Sequence, residues 1–156
     1  MGGIGAKSCF RRWIAATIVP IFAAIEEAFS EEWSHEPRDY ATWVERVFGV
    51  PQFDPGLVLV AWDGEEIAAA SINFQKRLGD WGLISLLGVR RRWRKQGLGL
   101  SLLHEGFRRF AERGETQAAL GVDSENPTGA TRLYERAGMR ILWRADVWRK
   151  ELTASA

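Results

Sequence analysis

Residues 81–113 run from a buried strand through a basic, glycine-bearing turn into an amphipathic helix, and this succession constrains the fold more than any other stretch. Trp81-Gly82-Leu83-Ile84-Ser85-Leu86-Leu87-Gly88-Val89 is nearly all apolar, the pattern of a strand covered on both faces. From residue 97 the apolar period becomes helical. Leu100, Leu103, Phe107, Phe110 and Ala111 share one side, with His104, Glu105, Arg108, Arg109 and Glu112 on the other. Between strand and helix, Arg90-Arg91-Arg92-Trp93-Arg94-Lys95 carries five cations in six residues. A turn of this kind exposes main-chain N–H groups at the positive end of the helix dipole. With cationic side chains beside them, those donors predict a site for a multiply phosphorylated ligand.

The glycine spacing excludes two common phosphate loops. No Lys-Ser/Thr pair follows, as a P-loop requires, and the third glycine of a dinucleotide fingerprint would fall at Leu102. Arg94-Lys95-Gln96-Gly97-Leu98-Gly99 instead resembles the acyl-coenzyme A signature of the GNAT N-acyltransferase superfamily, Arg/Gln-x-x-Gly-x-Gly/Ala. Val89, Leu100, Leu102 and Leu103 sit at that signature's apolar positions. Arg91 stands where many members have Pro, which changes the entry to the turn but removes no phosphate donor.

A second element lies one helix further on. Residues 116–122 form a short apolar run, and Asn126-Pro127 is a helix start, a capping side chain followed by Pro. Ala130, Leu133, Tyr134 and Ala137 make one stripe, and Gly138 ends it. This is similar to the second GNAT motif, a strand, an Asn at the next helix, then Leu-Tyr-x-x-x-Gly-Phe, with Met139 in place of the Phe. The likeness extends more loosely along the chain and is nearest to actinobacterial-type members.

The remaining stretches fit one domain over residues 8–152, with short flexible tails at 1–7 and 153–156. Ser8–Trp13 reads as a first edge strand, and residues 18–30 and 38–48 as helices. Leu57–Trp62 and Glu65–Phe74 flank Asp63-Gly64, a strong hairpin signal. After the strand 81–89 and the helix 97–113 come a strand at 116–122, a helix at 127–137, and strands at Met139–Trp143 and Val147–Leu152. The predicted order is β-α-α-β-β-β-α-β-α-β-β, an α/β fold with a mixed sheet. It is also the GNAT order.

Composition narrows the function classes. A net charge of +1 gives no global field to recruit nucleic acid or anionic membrane, and the Arg90–Lys95 patch is thin support for nucleic-acid binding. One cysteine, Cys9, excludes an intramolecular disulfide and suggests a reducing, cytoplasmic setting. No Cys and His cluster has metal-ligand spacing. Lys7, Arg11 and Arg12 precede the apolar run Trp13–Ile25, but Pro20 and Glu26-Glu27 favour an amphipathic helix over a leader or a membrane span.

The resemblance implies an acyltransferase using acetyl-CoA as acyl donor, with no metal. It places the diphosphate on the amides of Lys95, Gln96, Gly97, Leu98, Gly99 and Leu100, with Arg90, Arg94 and Lys95 offsetting its charge. The backbones of Leu87 and Val89 would pair with pantetheine in a gap between splayed strands. Asn126 and Ala130 would line that arm, and Tyr134 would be the general acid. By stripe alone Tyr134 is a core residue, and by position alone Asn126 is a helix cap. The general base is open, because the strand 81–89 carries no Asp or Glu. Ser85, Asp80 and His35 are the candidates on the acceptor side. The acceptor itself is a small-molecule or peptide amine, and the acids Glu31, Glu32, Glu36 and Asp39 hint at a cationic one. A monomer and a homodimer are equally compatible. An inactive acyl-CoA-binding sensor is the alternative function.

Overall fold

The computed structural model describes residues 17–30, 37–122, 129–144, 146, 148 and 150. Helix α1 spans Ile18–Phe29 and buries Ile21, Ala24, Ile25 and Ala28, one face at helical spacing. Pro20 sits in its first turn, where the missing N–H has no intrahelical partner to lose. Helix α2 spans Tyr40–Phe48. Asp39 caps it, its carboxylate accepting the Thr42 N–H at 2.9 Å. Trp43 and Val47 of α2 join Ile21 and Ile25 over one face of the sheet, against Val58, Val60, Ile72 and Phe74. Both helices lie within two residues of their expected bounds.

The sheet has the order β1-β2-β3-β4, with β1 at Val58–Asp63, β2 at Glu66–Leu78, β3 at Trp81–Val89 and β4 at Ala118–Ala119. The first two pairings are antiparallel and β3 runs parallel to β4. Gly64 makes the β1–β2 turn at φ 62°, a left-handed conformation that glycine adopts without cost. Helix α3, Leu98–Glu112, covers the opposite face, with Leu98 and Leu102 packed on Leu59, Ala61 and Ala69. This is the expected α/β arrangement around a mixed sheet.

Ile72 opposes Leu86, but Asn73 opposes Ile84, so Ser85 is an extra residue in β3. Such a bulge resets which face each residue points to. Ile84 and Leu87, three apart, therefore both reach the cluster of Leu103 and Phe110 under α3.

The chain after α3 departs from expectation. The strand predicted at 116–122 pairs only at Ala118 and Ala119, opposite Gly82 and Leu83. Helix α4 spans Ala130–Arg136 and starts after Gly129 at φ 74°, three residues beyond the predicted start at 127. The strand predicted at Met139–Trp143 does not form. Residues 139–144 take no regular structure, and Ile141, Leu142 and Trp143 are exposed. A strand two residues long presents too little ladder for a further strand to pair with. Trp148 and Lys150, described within the last predicted strand, are not in a strand either. The first predicted strand, Ser8–Trp13, lies outside the described residues.

Candidate active site

The two parallel strands pair only at Gly82–Ala118 and Leu83–Ala119, while β3 runs on to Val89. The Arg90 N–H donates to the Ala68 carbonyl at 3.0 Å, which makes 90 and 68 a hydrogen-bonded pair. Such pairs alternate along an antiparallel ladder, so Gly88 and Leu86 also bond toward β2, through Ala70 and Ile72. Leu87 and Val89 consequently turn their N–H and C=O groups to the other side, where β4 has already ended at Ala119. The backbone of these two residues therefore has no strand partner on that side among the described residues, which is where the resemblance expects a gap.

The turn after β3 is shaped by two left-handed residues. Arg91–Trp93 is a single 3-10 turn, Lys95 has φ 60° and Gly97 has φ 84°. Helix α3 then starts with Gly97 as its cap and no side chain bonded to its free amides. The Ser101 N–H is bonded to the Gly97 carbonyl, leaving the N–H groups of Leu98, Gly99 and Leu100 without intrahelical acceptors. No acidic side chain lies in the first turn. A Cβ on Gly97 would meet nothing within 4 Å, so the outer side of the turn is open. These donors at a helix N-terminus fit a diphosphate.

Most of the nearby cations are engaged elsewhere. Arg94 donates through Nε to the Val89 carbonyl at 3.1 Å and through Nη2 to the Ala28 carbonyl at 3.0 Å. It ties the end of α1 to the end of β3. Arg90 bonds Glu27 at 2.7 Å and the Ile67 carbonyl at 3.0 Å, and Arg92 bonds Glu66 at 3.1 Å. The guanidinium groups of Arg90 and Arg94, expected from sequence to offset phosphate charge, thus brace the turn from beneath. The Gln96 side chain also bonds inward, to the Arg92 carbonyl at 3.3 Å. Lys95 is exposed and makes no ion pair among the described residues.

Helix α4 closes the gap. Leu133 and Tyr134 are half-buried against the cluster of Leu57, Ile84, Leu103 and Phe110, and Ala130 is half-buried at the start of the helix. Tyr134 therefore packs against the same cluster that holds Ile84, the residue before the bulge. Ser85 is exposed at the bulge itself. Asp80 is not brought to the same place. It lies in the β2–β3 turn, five residues and roughly 16 Å of strand from Ser85. Asn126 and His35 lie outside the described residues. Sequence reasoning missed Asp63 and Trp93, which bond to each other at 2.8 Å beneath the turn. An aromatic inside a basic run was the only signal for that contact.

The Acetyltransferase (GNAT) family matches residues 18–139 of this sequence. The chain belongs to that family. Among curated GNAT-containing relatives, the mycothiol acetyltransferase of Streptomyces scabiei is 34% identical over 119 residues, 74% of this chain and 37% of that protein. The mycothiol acetyltransferase of Streptomyces bingchenggensis is 35% identical over 129 residues, covering 81% and 38% respectively. The chain thus spans little more than a third of these relatives. A solved GCN5-related N-acetyltransferase from Sphaerobacter thermophilus superposes with a TM-score of 0.71 at 33% identity, over 83% of this chain and 40% of that one. AAC(6′)-Iy, in complex with the bisubstrate analogue CoA-S-monomethyl-acetylneamine, shares the fold at a TM-score of 0.72 and 13% identity, over 92% and 97%. Among the described residues no group of three His, Cys, Asp or Glu side chains is placed to hold a metal, and no helix is long and apolar enough to cross a membrane.

Proposed function

We propose that this GNAT domain transfers an acetyl group from acetyl-CoA to a primary amine, by direct attack while both substrates are bound. One observation supports the reading: the amides of Leu98, Gly99 and Leu100 lack intrahelical acceptors at the start of the helix that follows β3, whose Leu87 and Val89 turn their backbones away from β2. A diphosphate on those amides would direct a pantetheine arm along β3, with the backbone of Leu87 and the Val89 N–H as its hydrogen-bonding edge, the Val89 carbonyl being held by Arg94. Lys95 is the cation left to face the phosphates.

The thioester supplies an activated acyl carbon, and the chain's own residues do the rest. The Val89 N–H is the donor available to polarise the acyl carbonyl. As the amine nitrogen bonds to the acyl carbon, the carbon–sulfur bond breaks and the thiolate takes a proton from the Tyr134 phenol. A phenol of pKa about 10 gives its proton to a thiolate of pKa about 8.5 against roughly 2 kcal/mol, so the transfer must accompany bond breaking. One ammonium proton leaves to water before attack, with Ser85 at the bulge as the polar side chain to hold that water. The second proton, lost by the acylated nitrogen, returns to the Tyr134 phenolate, so that the net products are the amide, the free thiol and one proton. Asn126 and His35 retain their sequence-based roles on the pantetheine arm and the acceptor side. The names of the curated relatives put mycothiol-type acceptors at the head of the amine panel.

Calorimetric titration with acetyl-CoA, followed by an amine panel with thiol-release detection, tests the proposal. Binding at micromolar affinity with amine-dependent thiol release is expected. Saturating acetyl-CoA that leaves the amide resonances of residues 98–100 unshifted would overturn it. Binding without turnover on any amine would restore the sensor reading.

A further inference from the structure

We propose that Trp93 is a positioning residue for the diphosphate cradle, and that it acts through Asp63 of the β1–β2 hairpin. The inference rests on the site proposed above, and neither residue has a role in the chemistry described there.

The cradle is poorly held by its own backbone. Residues 94–97 belong to no helix or strand, and two of them are in left-handed conformations. No side chain caps α3. What fixes the turn is the residue just before it. Trp93 is only 3% exposed and belongs to the buried cluster that also holds Leu59 and Ala61 of β1 and Leu98 and Leu102 of α3. It therefore sits in the apolar core shared by the sheet and the helix that carries the amides.

Apolar packing is not directional, so it sets the place of the indole more than its orientation. The Nε1–H bond to Asp63 Oδ2, 2.8 Å long and 30 residues distant in sequence, sets that orientation. Further contacts converge on the same hairpin. The guanidinium carbons of Arg90 and Arg92 each lie 4.9 Å from the Trp93 ring centroid. Both arginines reach Glu66, Arg92 at 3.1 Å and Arg90 at 4.0 Å. Asp63 and Glu66, on either side of the Gly64 turn, thus hold the indole and the cations stacked on it.

A core-filling Trp93 and a positioning Trp93 predict different outcomes. Trp93→Phe keeps an aromatic ring and deletes the donor. Asp63→Ala deletes the acceptor, and Asp63→Asn keeps an acceptor oxygen. If the bond positions the cradle, Trp93→Phe and Asp63→Ala each raise KM and Kd for acetyl-CoA about fivefold, with kcat within about twofold. Asp63→Asn then restores binding, and the double variant Trp93→Phe/Asp63→Ala is no worse than either single one, because both remove the same bond. With no ligand present, the amide resonances of Lys95–Leu100 shift in Trp93→Phe and Asp63→Ala and not in Asp63→Asn. Unshifted resonances, or single-variant effects that simply add, would overturn the inference even if wild-type protein binds acetyl-CoA. Shifted resonances in a wild type that ignores acetyl-CoA would sustain it and reject the function proposed for the site.

Discussion

Leu133 of α4 stands over Gly99 of α3 where any side chain at 99 would point. A Cβ on Gly99 would stand 3.0 Å from Leu133 Cδ2 and 3.7 Å from Val89 Cγ2. The second glycine of the turn therefore sets how closely α4 approaches α3, and with it where Tyr134, the next residue, is held. Gly99→Ala forces Leu133 outward by a few tenths of an ångström. The side-chain end can yield, and alanine is the better helix former, so Tm should stay within about 3 °C of wild type. Turnover should fall about tenfold, because a small displacement of a reacting group is costly. Unchanged kcat in Gly99→Ala would show that α4 is not set by this contact.

Tyr134 has two readings, core ring and proton donor, and one substitution separates them. Tyr134→Phe keeps a ring against the cluster of Leu57, Ile84, Leu103 and Phe110 and removes the hydroxyl. For a proton donor, kcat should drop about 100-fold or more with acetyl-CoA binding within about twofold. Thiol release and calorimetry on the same preparation measure both. Wild-type turnover in Tyr134→Phe would return the residue to the core.

Local pattern carried much of the fold. The stripe of Ile21, Ile25 and Ala28, the stripe of α2 and the Asp63-Gly64 turn each have a short-range signature, and each element formed within a few residues of its expected place, whereas Asp39, read only as an acid on the acceptor side, caps α2. Features that depend on a distant partner were not legible. Ser85 becomes a bulge only because Ile72 and Asn73 of β2 pair around it, and no property of Ser85 announces that. The apolar residues at 139–143 look like a strand, yet a strand needs an edge, and β4 supplies two residues. In the site, the sequence identifies five cations but not their partners. Arg90 and Arg94 found Glu27 and the carbonyls of Ile67, Val89 and Ala28 instead of facing outward.

The closed end of the gap depends on Gly82. It pairs with Ala118, and a Cβ there would sit 2.7 Å from the Phe110 ring, which is itself buried. An aromatic ring in a packed core cannot swing aside as Leu133 can. Gly82→Ala should cost about 2–3 kcal/mol and lower Tm by roughly 6–9 °C. Phe110→Leu added to Gly82→Ala should recover part of the loss, since the shorter side chain vacates the ring's position. Thermal melts of the two single variants and the double variant check this. Simple additivity would mean that the two residues do not compete for the same space.

Glu105 on α3 couples stability to acid. Hydrogen bonds from Arg108, at 2.9 and 2.7 Å, lead in holding its carboxyl down to about 2 from an ordinary 4.5. Burial opposes them, and Arg109 at 2.8 Å adds to them. Arg109 also bonds the Gly56 carbonyl, so the cluster fastens the loop before β1 to α3. The folded-state value lies below the unfolded one, so this stabilisation is complete above about pH 4.5 and is lost as pH falls toward 2. Asp54 acts in the same direction. Burial raises its pKa, but hydrogen bonds from Arg113 and the Gly56 N–H outweigh that and leave it lowered. Glu105→Gln should lower Tm at pH 7 by about 3 °C, for roughly 1 kcal/mol lost. It should also narrow the difference in Tm between pH 7 and pH 3. An undiminished acid sensitivity would assign the effect to other carboxylates.

Lys95 combines backbone strain with a charge that has no ion pair among the described residues. It holds φ 60° without being glycine, next to the free amides of α3. A left-handed non-glycine residue costs about 1–2 kcal/mol, and glycine gives part of that back as unfolded-state entropy. Lys95→Gly should therefore raise stability by about 0.5–1 kcal/mol, a gain of roughly 2 °C in Tm. The same change removes the cation proposed to face the phosphates, so the Kd for acetyl-CoA should rise about three- to fivefold near 50 mM salt. The loss should shrink at 500 mM, where exposed charges are screened. Thermal melts and calorimetry across that salt range read the two effects separately. A Lys95→Gly protein that is less stable and binds acetyl-CoA as before would mean that the left-handed lysine serves neither the turn nor the phosphates.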